Sequence, residues 1–357
     1  MKVLIVGAGP TGLTAGVELA RRGITAIIID KKEQGSTMSR AVGINPQSLK
    51  ILESSGVTKT LLAEGIKYKN ALFYVNEQKW GTLNFSSAQP VQYGYDFILG
   101  LPQDRTEAIL SAKFTELGGK ILYHHELVSI KTQNDTIRAK IANGEEFTCD
   151  YLLGADGVHS TTRHAIGIAC PGIKLPEEWS IADVSTTDLS HLNETVALYS
   201  LSHGKVVFIA PIAKNRYRLV SNTKNAIKSL PFKLKTTKIH REGTFHIKIA
   251  QAPSYQEGKI FLAGDAAHCH SPVGGRGMNL GIADAADFAH KLVNHDLETY
   301  TKTRYLEDKR VIAGSEFLRK MMTSPNIFKR YAMLLGIKLI FHVPFLHHKF
   351  ASKFMYG

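Results

Sequence analysis

The chain has 357 residues, 44% of them hydrophobic and 21% charged, and a formal charge of +13. That length exceeds what one hydrophobic core usually supports, so one large or two intimately joined domains are expected, and the composition excludes disorder, collagen and coiled coil. The charge would suit nucleic acid, but the chain has no nucleic-acid motif and no aromatic–basic interleaving; an anionic cofactor with anionic substrates, or plain solubility, remains as its use.

Residues 2–6 are a short apolar run of the kind a buried parallel strand requires. The run breaks at Gly7 without a cleavage pattern, so it is read as a strand and not as a signal peptide. Residues 11–22 have helical spacing (Leu13, Val17, Ala20), and 25–29 are a second β-branched run that ends at Asp30. Residues 68–95 change to short aromatic segments, expected as antiparallel sheet in another layer, and 103–117 return to helix. Strands are expected at 120–132, 137–141 and 147–153, with Asn143-Gly144 as a turn. Residues 175–252 are mainly β-type; 259–263 are again a buried strand, followed by helices at 277–293 and 297–322.

This order predicts a discontinuous organisation. Residues 1–67, 96–174 and 253–297 form one α/β domain. Residues 68–95 and 175–252 form a β-rich domain whose two insertions have to assemble into one sheet, and 298–357 form a helical, basic tail. Cys149, Cys170 and Cys269 are too few and too scattered for a disulfide framework, and no apolar run is long enough to span a membrane. A reducing, cytoplasmic setting is expected.

Three glycine-rich sites carry the chemistry. The first is Gly7-Ala8-Gly9-Pro10-Thr11-Gly12, between a strand and a helix. There a glycine allows the turn, another lets backbone approach a pyrophosphate at the helix N-terminus, and a third lets helix and strand pack closely. Asp30 follows the second strand, where a carboxylate can accept from a ribose. The second site is Gly154-Ala155-Asp156-Gly157-Val158-His159-Ser160, with Arg163 beyond it. The third is Gly264-Asp265-Ala266-Ala267-His268, continuing through Pro272, Gly274-Gly275-Arg276-Gly277 and Met278-Asn279 into a helix.

On these three motifs the chain resembles the class A FAD-dependent monooxygenases, the group of the p-hydroxybenzoate and phenol hydroxylases, over about residues 1–320. The resemblance implies an α/β fold: a Rossmann-type FAD-binding domain, an inserted, mainly antiparallel β-sheet substrate domain, and C-terminal helices. It implies that Gly7, Gly9, Pro10, Thr11 and Gly12 bind the ADP part of FAD, and that Asp30, with Lys31 beside it, contacts the ribose. Asp156 and Gly157 serve FAD and NAD(P)H, and Asp265 holds the ribityl chain. Arg40, Gln103 and Arg105 line the cofactor, and the backbone near Val128 meets the adenine. Pro272, Gly275, Gly277, Met278 and Asn279 face the isoalloxazine. Residues 177–183 resemble the strand by which that family enters its substrate sheet.

The activity implied is hydroxylation of a phenolic or polycyclic aromatic small molecule, consuming NADPH or NADH and O2 through a flavin C4a-hydroperoxide, with antibiotic modification as one form of it. The alternatives are a flavoprotein reductase and a non-catalytic flavin-binding redox sensor. A halogenase fits less well, since Trp80 and Trp179 do not form its Trp-x-Trp signature. No catalytic base is named; Arg216, Tyr217 and Arg218 alternate on a substrate-sheet strand, with a surface role as their other reading. His268, Cys269 and His270 are not read as metal ligands, because neighbours on a tight turn diverge and no second ligand pair stands at zinc spacing.

Two features depart from the family pattern. Many relatives have Gln where this chain has Arg276, which either stands near the flavin or points to solvent. The chain is also too short for the thioredoxin-like domain of longer relatives. From residue 317 onward it carries seven Lys or Arg and no Asp or Glu. This tail is read as a helical cap in preference to a basic amphipathic segment touching anionic membrane. The protein is expected as a monomer or homodimer.

Overall fold

In the computed structural model, which describes residues 1–35, 41–324 and 326–356, the apolar strand Lys2–Val6 lies inside a six-stranded sheet. The order is Gln256–Glu257, Ile260–Leu262, Tyr151–Gly154, Lys2–Val6, Thr25–Ile29, Lys120–Leu122. All neighbours are parallel except the antiparallel first pair. Three adjacent parallel strands, Ile260–Leu262, Tyr151–Gly154 and Lys2–Val6, each run directly into a glycine motif. Parallel direction puts all three turns at one end of the sheet, where open α/β sheets bind ligands.

Along Lys2–Val6 the side chains alternate between two cores. Val3 and Ile5 join the helices, while Leu4 and Val6 join Leu127, Ile137 and Ile141 of a small three-stranded antiparallel sheet on the other face. The helices among the described residues, in chain order, are α1 Pro10–Ala20, α2 Pro46–Ile51, α3 Val57–Glu64, α4 Gln103–Glu116, α5 Thr161–Ala165, α6 Gly277–Val293, α7 Tyr300–Met322, α8 Ile327–His342 and α9 Pro344–Tyr356. Helix α1 packs between α4 and α6.

The two β-rich stretches join in one eight-stranded sheet, ordered His268–Cys269, Lys238–Gln251, Gly172–Ser185, Arg216–Ser221, Val206–Ala213, Thr195–Ser200, Asn70–Val75, Gln78–Asn84. The join is parallel, Asn70–Val75 against Thr195–Ser200, within an otherwise antiparallel sheet. The long strand Gly172–Ser185 carries the chain out of the first layer, and His268–Cys269 returns the edge to the third glycine motif.

Two expected strands are broken. Residues 120–132 divide at His124 (φ 58°), so Lys120–Leu122 completes the large parallel sheet and Leu127–Gln133 enters the small one. Residues 147–153 likewise divide between Glu146–Cys149 and Tyr151–Gly154, in different sheets. A continuous apolar run conceals such a change of partner.

The chain after α7 is a cap. Ala351 and Met355 are fully buried beside Phe85 and Tyr68, and Met333 and Leu334 pack with Trp179 and Met322. None of the described helices is long and apolar enough to cross a membrane.

Candidate functional site

Gly7 turns with φ +111°, and a Cβ there would sit 2.3 Å from the Ala155 carbonyl oxygen, so the first and second motifs touch through backbone. A Cβ on Gly12 would lie 1.9 Å from the Gly7 oxygen, which is why helix α1 can start so close to its strand. Gly9 is different. It caps α1 in an extended conformation (φ −80°, ψ 179°), and a Cβ on it would meet nothing within 4 Å. Space is therefore kept in front of the helix N-terminus, at the residue where a phosphate would approach.

Neither α1 nor α6 has a side-chain cap or an acid in its first turn, so their terminal N–H groups keep their positive field. The two N-termini are packed together by Thr11. Its Oγ1 would be 2.6 Å from a Cβ on Gly264 and 2.1 Å from one on Gly281. Two uncapped helix ends and the exposed Asp265 between them thus border one region. This arrangement fits a dinucleotide: anions at the helix ends and a carboxylate where sugar hydroxyls would run.

Beside the same N-terminus of α1, Asp30 is 7% exposed. Its oxygens accept the N–H of Ala8 at 2.7 Å and of Lys32 at 2.9 Å, which leaves each oxygen a further lone pair. The carbonyls of Asp30 and Lys32 accept from His125 and His124, which brings the start of strand Leu127–Gln133, with exposed Val128, beside Asp30 and exposed Lys31. Gln103 opens α4, donating to Glu107 at 2.7 Å and accepting from the Ala41 N–H at 3.4 Å. Arg40 lies outside the described residues. The guanidinium of Arg105 forks onto Glu64 of α3 at 2.9–3.1 Å, on an exposed surface.

The second motif is occupied with its own architecture. Asp156 accepts the Ser160 hydroxyl at 2.5 Å and both the N–H and hydroxyl of Thr162 at 2.9 and 3.0 Å, so it builds the start of α5. Gly157 provides the turn between them (φ +81°). Buried Arg163 donates to the Ala266 carbonyl at 2.7 Å and ties the second motif to the third.

In the third motif Pro272 and Gly275 are exposed, Gly277 is half-buried and Met278 and Asn279 are buried. The Asn279 amide is a staple: it accepts from the Asn45 N–H at 2.9 Å and donates to the carbonyls of Gly43 at 3.0 Å and Gly275 at 2.9 Å. Arg276 does not simply point to solvent. It donates to the carbonyls of Lys353 at 3.0 Å and Phe354 at 2.8 Å and so caps the end of α9, where burial pushes its guanidinium down to about 10.

Behind this loop is a buried cluster that the sequence did not disclose. Asp284 accepts the Gly264 N–H at 2.8 Å, His268 Nε2 at 2.7 Å and Arg304 Nε at 2.6 Å. Asp308 receives Arg304 at 3.0 Å and lies 3.2 Å from His268. His268, Asp284 and Asp308 bring ligand atoms within 4.8 Å of one another, and the guanidinium of Arg304 is the cation in their midst. Burial alone would lower the His268 imidazolium, but Asp308 and Asp284 outweigh it and push it up to about 9. Burial alone would raise Asp284, yet Arg304 and His268 hold it below the ordinary carboxylate range. The available signal was Asp284 itself, four residues from both Leu280 and Phe288 on the buried face of α6. A carboxylate there demands a partner.

On the eight-stranded sheet, Arg218 is 2% exposed and forks onto Asp183 at 2.7 and 2.8 Å, with a third bond to the Ala41 carbonyl at 3.1 Å. Tyr217 faces the opposite side, in the core with Leu219 and Tyr199, and Arg216 stands 3.7 Å from Asp183. On the sheet and at its flank, Phe341 of α8 meets Phe73 at 5.3 Å, and Val273 of the third motif packs into the cluster with Val220 and Leu198. Sheet, glycine loop and C-terminal cap therefore meet.

The chain matches the family model described as "FAD binding domain" over residues 1–229 and 223–305. It is 31% identical to rifampicin monooxygenase from Rhodococcus hoagii over 309 residues, 81% of this chain and 63% of that protein. Anhydrotetracycline hydroxylase from Streptomyces rimosus superposes with a TM-score of 0.81 at 25% identity, covering 99% of this chain and 76% of that one. The p-nitrophenol 4-monooxygenase of Pseudomonas putida DLL-E4 shares the fold, with a TM-score of 0.89 at 19% identity over 99% of this chain and 96% of that one.

Proposed function

The chain belongs to the FAD binding domain family, and from that premise we propose that it is an FAD-dependent, NAD(P)H-consuming monooxygenase that hydroxylates a phenolic or polycyclic aromatic small molecule. The observation that carries this reading is the meeting of two uncapped helix N-termini and Asp265 at the end of three parallel strands, opposite a separate sheet. FAD, when bound, supplies the redox chemistry, taking electrons from the nicotinamide and delivering them to O2.

The chain's own residues bind and orient. Gly9, Pro10 and Thr11 offer the α1 N-terminus to the pyrophosphate, with Gly7 and Gly12 making the close turn. Asp30 keeps two lone pairs for the ribose, beside Lys31 and Val128. Asp265, Pro272, Gly275, Gly277 and Met278 edge the flavin region, which Asn279 fastens to Gly43 and Asn45. Gln103 holds the Ala41 segment from the side. Asp156, Gly157 and Arg163 lock the turns together, with Asp156 and Gly157 beside the FAD and NAD(P)H approach. Arg105, paired with Glu64 on the exposed surface, borders the site from the first turn of α4.

On this reading the substrate sits near the place where the third motif, the sheet face bearing Val220 and Leu198, and α8 pack together. The two relatives named for rifampicin and anhydrotetracycline put compounds of those kinds at the head of the candidates.

The test is oxidation of NADPH and NADH, followed with O2 uptake, by the FAD-loaded protein against a panel of phenols and polycyclic compounds. One compound should stimulate both together. Nicotinamide oxidation without O2 uptake would assign a reductase, and indifference to every aromatic would assign a redox sensor.

A further inference from the structure

The helices after Glu316 present two unlike faces. Helix α8 buries Met333 and Leu334 against the protein, while Phe328 is 82% exposed, Leu335 62% and Leu339 49%. With exposed Ala332 these residues recur at four, three and four positions, one stripe along the helix. Phe345, 70% exposed, lies in the first turn of α9. An exposed apolar stripe of this length is ordinarily covered.

Charge indicates the cover. After Glu316 the chain has no acid and seven Lys or Arg. Exposed lysines stand one helical turn from the exposed apolar residues: Lys338 three after Leu335, and Lys349 four after Phe345. A second copy would bring two basic, acid-free surfaces together in a protein of formal charge +13, which like-charge repulsion opposes. An anionic lipid surface accepts both features, apolar side chains in the acyl boundary and ammonium groups at the phosphates.

We propose that the outer face of α8 and the start of α9 dock this protein on an anionic membrane surface without crossing it, with Phe328, Leu335, Leu339 and Phe345 inserted and Lys338 and Lys349 at the headgroups. The cap reading of the tail holds for the inner face of these helices; lipid covers the outer one. The surface lies on the side of these helices away from the flavin site, and its test needs no turnover.

The experiment is co-sedimentation of the full chain with vesicles of phosphatidylglycerol and phosphatidylcholine, and with phosphatidylcholine alone, at low and high salt. The protein should pellet with the anionic vesicles at low salt and be released by high salt. Combined Phe328→Gln, Leu335→Gln and Leu339→Gln substitutions lie on the exposed face. They should weaken binding by roughly tenfold or more while thermal unfolding stays unchanged. The proposal is overturned by absence from the anionic pellet at low salt, by equal pelleting of parent and variant, or by equal pelleting with both lipids. A dimer in light scattering that the same substitutions dissociate would assign the face to a second copy instead.

Discussion

The same small change at two positions three residues apart separates a glycine that holds the fold from one that leaves room for a ligand. In Gly12→Ala the new methyl would stand 1.9 Å from the Gly7 carbonyl oxygen and 3.2 Å from the Ile5 side chain. The first obstacle is backbone and cannot rotate away, so α1 has to move off its strand, an overpacking cost of about 1–3 kcal/mol or more. In Gly9→Ala the methyl meets nothing within 4 Å, and φ −80° with ψ 179° suits any L-residue. The flavin-free protein should then keep its stability, or gain about 0.4–1 kcal/mol from a stiffer unfolded chain. The same methyl occupies the approach to the α1 N-terminus, and an overpacked ligand costs about 1–3 kcal/mol, roughly a 5- to 150-fold loss of FAD affinity. Denaturant unfolding of the flavin-free proteins and FAD titration followed by flavin fluorescence read the two effects separately. Unaltered FAD affinity in Gly9→Ala, or unaltered stability in Gly12→Ala, would refute the reasoning.

Asp284→Asn leaves the buried Arg304 short of a counter-charge and should cost about 3–5 kcal/mol in urea unfolding; a loss below about 1 kcal/mol would mean that Asp308 suffices alone. Because the His268 pKa is raised in the folded state from 6.5 to about 9, its contribution is complete below pH 6.5 and is lost as pH rises through 9. That is about 3 kcal/mol, seen as a fall in Tm over this window that His268→Gln should abolish; an equal slope in the variant would count against the ion cluster. Arg276→Gln removes charged donors from the end of α9, about 1.5–3 kcal/mol, and should speed amide exchange across 344–356; unchanged protection would show that apolar packing alone holds the helix.

What the sequence disclosed was what is local. Gly7, Gly9 and Gly12 act within one strand-turn-helix unit, so their spacing states their geometry. That two β-rich insertions share a sheet followed from their exposed edges, but the parallel pairing of Asn70–Val75 with Thr195–Ser200 depends on partners more than a hundred residues apart. Separations of 16 and 20 residues were enough to hide Asp284 from His268 and Arg304, since metal-ligand spacing rules look only for near neighbours. Side-chain roles were least legible where several hydrogen bonds compete. Asp156 has the sequence of a ligand-binding turn and also holds Ser160 and Thr162; Arg105 has the position of a cofactor contact and also pairs with Glu64. Arg276 could be read from sequence only as facing the cofactor or water, because its partner is a carbonyl at the far end of the chain.

The central claim is tested most directly by turnover of a stimulating aromatic compound under oxygen-18 gas, with product mass and nicotinamide consumption measured together. A hydroxylated product carrying one labelled oxygen atom, formed with one equivalent of NAD(P)H consumed, is the predicted result. Unlabelled product, or an unchanged aromatic compound with hydrogen peroxide as the only oxygen product, would contradict the assignment as a monooxygenase.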